Sequence, residues 1–257
     1  MSAVLDVKGL AKAFGGVRAV QDVSFALGEG ELLAIIGPNG AGKSTCFNMV
    51  GGQLRPDSGT IALAGRSLVG LKPRQIWRLG VGRTFQITAT FASMTVRENV
   101  QMVLLSHRHR LAGLWTPARN LFRAEAEAAL AQVGMGDQAD RPCGVLAYGD
   151  IKRVELAVAL AHGPRLLLMD EPTAGMAPKE RVTLMALTKD IVRSSGISVL
   201  FTEHDMDVVF AHADRIVVLD RGRLIASGKP AEVRENPEVQ RIYLGGAGTE
   251  AARRAGG

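Results

Sequence analysis

The chain has little cysteine: only Cys46 and Cys143 occur in 257 residues, far apart in sequence. Two distant thiols exclude a disulfide framework and any cysteine-spaced metal site, and they suit a reducing compartment. Aromatic residues are sparse. Long apolar runs are missing too. Stretches such as Leu166 to Met169 and Val103 to Leu105 end after a few residues, so none could span a bilayer. If the protein serves a membrane, it does so from outside, through a partner. Met1 to Gly9 lacks a basic head and a sufficient apolar run, so no secretory leader is expected. Strong charge bias is absent as well. The formal charge of +6 comes from scattered bases, apart from His107-Arg108-His109-Arg110 and Arg253-Arg254. That balance favours acidic partners, such as nucleotide phosphates or headgroups, without requiring them.

What is present alternates. Leu32 to Ile36, Arg165 to Asp170, Ile197 to Thr202 and Arg215 to Leu219 are compact apolar runs, read as strands buried on both faces. Helical patterns lie between them, which predicts an α/β fold with a mainly parallel sheet. Val4 to Leu27 and Gly59 to Ala64 read as short strands with turns, an antiparallel β portion. Asp220-Arg221-Gly222 reads as a hairpin turn. From Met94 to His162 the pattern turns helical, with Ala124 to Leu130 strongly helix-forming. The expected organisation is a core over 1–93 and 163–244, an inserted helical subdomain over 94–162, and a loose tail over 245–257.

Gly37-Pro38-Asn39-Gly40-Ala41-Gly42-Lys43-Ser44-Thr45 fits the P-loop pattern in full. Glycines let successive backbone N–H groups turn inward around a β-phosphate, and the next helix points its positive end at the same anion. Lys43 should reach the β- and γ-phosphates, and Ser44 should place its hydroxyl on Mg²⁺. A nucleoside triphosphate with Mg²⁺ is therefore the expected ligand. No Asn-Lys-x-Asp element follows, which argues against guanine. The run Leu166 to Met169 then ends in Asp170 and Glu171. Asp170 can hold the metal, directly or through water, and Glu171 can orient and deprotonate the attacking water.

Between these motifs stands Leu146-Ala147-Tyr148-Gly149-Asp150, a small turn opening a helix. Ile151, Val154, Val158 and Ala161 are expected to line one face of that helix, with Lys152, Arg153 and Glu155 leaving it. Gly163-Pro164 should stop it.

The P-loop, this turn and "LLLMDEP", in that order, resemble the ATP-binding subunit of an ABC transporter over nearly the whole chain. The resemblance implies a RecA-like P-loop NTPase core that hydrolyses ATP, with a helical subdomain carrying Leu146 to Asp150 as a signature turn. Phe14 matches the aromatic that stacks on adenine; the alternative by sequence is a core phenylalanine. Gln86 matches the glutamine that touches Mg²⁺ and the attacking water, and His204 the switch histidine at the γ-phosphate. His107, His109, His162 and His212 have no such support and are expected in surface or packing roles. "GVGRTFQITATFASMTVRENV" and "GRLIASGKPAEVRENPEVQRIYLG" are similar to the subgroup serving branched-chain amino-acid uptake, and share parts with subunits for urea or lipopolysaccharide.

The family implies two ATPase subunits head to tail, each ATP lying between one P-loop and the other chain's signature. It also implies two membrane permeases, indirectly a periplasmic solute-binding protein, no nucleic acid, and a cytoplasmic place on the inner face of the membrane. Two residues depart from the pattern. Ala147 stands where serine usually contacts the γ-phosphate, a loss of about 1.5–3 kcal/mol if unreplaced. Ala177 stands where Asp or Asn is frequent. Both weaken what the chain offers across a dimer; of the two arrangements the family allows, homodimer or heterodimer with a related ATPase, the heterodimer tolerates that best. A soluble non-transport ABC ATPase and a P-loop kinase are the rival classes. The first usually carries coiled-coil insertions or paired ATPase units, absent here; the second leaves the signature and His204 without a role.

Overall fold

A computed structural model of the protein describes residues 3–84, 90–108 and 121–243. Two sheets and a helical layer make up the architecture. The antiparallel sheet has the order β2-β1-β4-β5, from β1 (Ala3–Phe14), β2 (Val17–Gly28), β4 (Ser58–Leu63) and β5 (Arg66–Ser67). The second sheet runs β10-β9-β3-β8-β7-β6, from β3 (Leu32–Ile36), β6 (Val81–Arg83), β7 (Leu166–Asp170), β8 (Ser198–Thr202), β9 (Arg215–Asp220) and β10 (Arg223–Gly228). Its pairs are parallel except at the β9–β10 edge. That edge is the hairpin expected at Asp220-Arg221-Gly222. β1 and β2 differ from expectation: they are two long strands whose register shifts at bulges, not several short ones.

The parallel strands are apolar throughout because both of their faces are covered. Leu33 and Ile35 of β3 pack toward the antiparallel sheet, while Leu32, Ala34 and Ile36 pack toward the helices. β7 repeats this, with Leu166 and Leu168 on one side and Leu167 and Met169 on the other. β6 is too short to signal itself in sequence. It pairs with β7 at the sheet edge, and a Cβ on its Gly82 would lie 2.6 Å from the Ala159 carbonyl.

The helices are α1 (Lys43–Val50), α2 (Pro73–Arg78), α3 (Val96–His107), α4 (Arg123–Gln132), α5 (Tyr148–Leu160), α6 (Pro178–Ser195), α7 (Met206–His212) and α8 (Pro230–Glu235). α1 stops at Gly51. α3 opens with a reciprocal cap: Thr95 accepts from the Glu98 N–H at 3.2 Å, and Glu98 accepts from the Thr95 N–H at 2.8 Å. α3, α4 and α5 pack on one another.

One expectation about α5 fails. Arg153 is half-buried, but Lys152 and Glu155 are buried, and their side chains pair at 2.9 Å. The helix is covered on the face where a two-dimensional pattern placed solvent, because α6 and β6 pack there as well.

Candidate functional site

The chain leaves β3 through Gly37 to Gly42 and enters α1 at Lys43. Only glycine fits at the loop's exit. Gly42 has φ 100°, and a Cβ there would lie 2.4 Å from the Ala19 carbonyl. The β9–β10 turn pins the loop from outside, with the Gly222 N–H donating to Ala41 O at 3.0 Å. Lys43 is buried and donates to Gly37 O at 2.6 Å and Pro38 O at 3.1 Å. Burial holds its ammonium below the usual lysine range, while Glu171 and Asp170 pull the other way. Ser44 is exposed beside it.

β7 and β8 end side by side, with Asp170 paired to Thr202 in register. The Thr202 hydroxyl donates to Asp170 Oδ1 at 2.7 Å. The Arg83 guanidinium lies 3.8 Å from Asp170 Oδ2. At Glu171 the backbone turns into the left-handed region, φ 48°. This conformation costs a non-glycine residue and persists where the surroundings over-determine it. Here Thr202 does so, accepting the Glu171 N–H on both its carbonyl and its hydroxyl, each at 3.1 Å. The turn aims the carboxylate at His204, whose Nε2 lies 2.8 Å from Glu171 Oε1.

Lys43, Ser44, Glu171 and His204 line one cleft of about 290 Å³ together with Phe14, Ala19, Asn39 to Gly42 and Thr45, while Asp170 is buried and does not line it. Phe14 sits at the end of β1 and is 46% exposed, which removes the core reading. Lys12 lies 5.6 Å from its ring centroid. Gln86 lies outside the described residues, as do His109 and the tail from 245 to 257. Leu146 to Asp150 do not line the cleft. Ala147 is the exposed N-cap of α5 and offers no side-chain bond to the helix N–H groups. The Tyr148 hydroxyl donates to Ala174 O at 3.1 Å. Gly149 packs where a Cβ would meet Glu180 at 2.8 Å.

Sequence reasoning missed Thr202, Arg83 and Glu203. Glu203 accepts both the N–H and the hydroxyl of Thr173, at 2.9 and 2.6 Å. The polar run Thr202 to Asp205 beside His204 was an available signal for Thr202 and Glu203; none pointed to Arg83.

A glycine loop between a buried strand and a helix, facing two acids at a neighbouring strand tip, defines a P-loop nucleoside triphosphatase. The model of the ABC transporter family matches residues 20–174, and a model described as branched-chain amino acid ATP-binding cassette transporter matches residues 223–249. The chain is 42% identical, over 95% of its length and 98% of the relative's, to the high-affinity branched-chain amino acid transport ATP-binding protein LivG of Salmonella typhimurium. Identity and coverage are the same for BraF of Pseudomonas aeruginosa, a protein of the same description. The ADP conformation of an ATP-binding cassette of an ABC transporter superposes with a TM-score of 0.85 at 30% identity, covering 95% of this chain and 100% of that one. The chain belongs to the ABC transporter ATP-binding family, and it is an ATPase of that family.

Proposed function

We propose that the protein energises a branched-chain amino-acid importer by hydrolysing Mg-ATP. Full-length similarity to two such transport ATPases, together with the matched segment 223–249, carries this reading of the cargo. Ser44 and Asp170 suit Mg²⁺, which keeps oxygen ligands from phosphate and water rather than an all-protein cage; when bound, the ion would neutralise charge on the transferring phosphoryl group. Lys43 and the N–H groups of residues 39 to 45 hold the phosphates. Phe14 stacks on the adenine. Glu171 takes the proton of the attacking water, and His204 fixes the Glu171 carboxylate and reaches the γ-phosphate. Gln86 joins the metal and the water.

Leu146 to Asp150 do not line the cleft, and Ala147 and Tyr148 are exposed, which supports use of this turn on a partner's ATP. With Ala147 and Ala177 the chain offers fewer side-chain contacts across that interface, so a related, non-identical ATPase suits it best as partner. Two permeases would dock at the groove that includes Phe91, Trp77 and Met102, and a periplasmic binding protein would supply the solute. No described helix is long and apolar enough to cross a membrane; the chain works at the inner face through those permeases. The helical segment 94–162 moves against the core, 1–93 and 163–244.

The test is uptake of labelled leucine, isoleucine and valine in cells with the gene deleted and restored. Loss and recovery of that uptake is expected. Normal branched-chain uptake with loss of another solute would overturn the cargo while leaving the ATPase in place.

A further inference from the structure

α5 carries two charges deep in the protein. Lys152 and Glu155 are 6% and 5% exposed, so a solvated helix face does not explain them. Nor does stability: desolvation offsets the attraction of a buried pair, and matched apolar side chains are often at least as stable. Their neighbours point to another role. Lys152 Nζ stands 5.3 Å from the ring centroid of Tyr148, in the signature turn. The Tyr148 hydroxyl holds Ala174, three residues beyond Glu171.

On the other side, Lys152 and Glu155 share a narrow crevice of about 10 Å³ with Thr84, Met169 and Pro172. Met169 and Pro172 bracket Asp170 and Glu171. Thr84 donates its N–H to Leu168 O at 2.9 Å, and from it the chain runs on toward Gln86. Glu155 Oε1 and Thr84 Oγ1 are buried and bond to no group among the described residues. Leaving both unsatisfied is costly. About 10 Å³ is the least space that one water needs, and the site would offer it a carboxylate acceptor and a hydroxyl.

We propose that Lys152, Glu155 and Thr84, joined through one buried water, are positioning residues that tie the signature turn to the strand end bearing Asp170 and Glu171. Nucleotide in the chain's own P-loop then sets the order of the signature that the chain presents. The proposal rests on the reading of the cleft as a Mg-ATP site.

The experiment follows amide exchange at residues 148 to 151 in the full chain carrying Glu171→Gln, with and without Mg-ATP, at a concentration where sedimentation shows a monomer. The ATP Kd is measured first. Mg-ATP should slow that exchange about threefold or more. The double variant Lys152→Leu/Glu155→Leu should abolish the slowing while its ATP Kd stays within about twofold. Lys152→Arg keeps the pair and should keep the slowing; Thr84→Val removes one partner of the water and should reduce it by about half or more.

Folding is controlled within the same set. Glu155→Leu alone strands a buried ammonium and should lower Tm by about 6 °C or more, with most of that recovered in the double variant. A folded double variant that retains full slowing overturns the proposal. So does unchanged exchange in the parent at saturating Mg-ATP. Absence of ATP binding in the parent overturns instead the reading of the cleft.

Discussion

His204 Nε2 and Glu171 Oε1 meet at 2.8 Å across the mouth of the P-loop cleft. They come from different loops, after β7 and after β8, and Thr202 anchors the first of them. In the proposed role of base, Glu171 has Oε1 engaged by His204, which leaves Oε2 for the water. Glu171→Gln should therefore keep ATP binding and lower turnover by about 10²–10⁴-fold. Phosphate release beside ATP binding checks this. Normal turnover would remove Glu171 from the base role.

Because the two side chains act together, their losses should not add. His204→Ala should slow turnover on its own, and Glu171→Gln/His204→Ala should be about as slow as Glu171→Gln alone. Multiplied effects in the double variant would show that His204 works independently of Glu171.

Phe14 offers a clean separation of binding from folding. Its ring is 46% exposed at the rim of the cleft, so Phe14→Ala removes little packing. Base–aromatic stacking is worth about 1–3 kcal/mol, an expected rise in ATP Kd of roughly 5- to 150-fold with Tm nearly unchanged. Binding of inorganic triphosphate, which has no base to stack, should not move. An equal loss for triphosphate would place Phe14 in the loop's stability instead.

These groups were legible to different degrees, for physical reasons. The P-loop and the Asp170–Glu171 tip are local: strand, turn and helix are contiguous, and the chemistry needs fixed spacing. His204 was legible only through resemblance, because its partner Glu171 is distant in sequence. Thr202 and Arg83 reach Asp170 through strand pairing, which no single segment announces. The burial of Lys152 and Glu155 contradicted the helical pattern because α5 is covered from two sides, and a periodicity argument assumes one. β6 escaped notice since three residues carry no period.

Ala147 is both the N-cap of α5 and the site of the missing hydroxyl. Ala147→Ser should stabilise the helix by about 0.5–2 kcal/mol, read as a higher Tm of the isolated chain. In the assembled transporter the same change should alter turnover at the partner's P-loop, seen as ATPase remaining when this chain carries Glu171→Gln. A higher Tm with no change in that residual turnover would confine Ala147 to capping.

His162 gives the protein an acid sensitivity that can be isolated. Its ring packs 5.1 Å from Trp77 and 5.5 Å from His107, centroid to centroid, and neither ring nitrogen bonds to a described group. Burial, aided by His107, holds its imidazole down to about 4 from an ordinary 6.5. The unfolded chain therefore takes up this proton first as pH falls. The stability is whole above pH 6.5 and drains away toward pH 4, by about 3 kcal/mol in total. His162→Phe keeps a ring in the cluster and removes the titration. Thermal melts from pH 7.5 to 4.5 should fall less steeply for the variant than for the parent, by roughly 4–8 °C at the acid end. Parallel curves would show that His162 is protonated in the folded protein as readily as in the unfolded one.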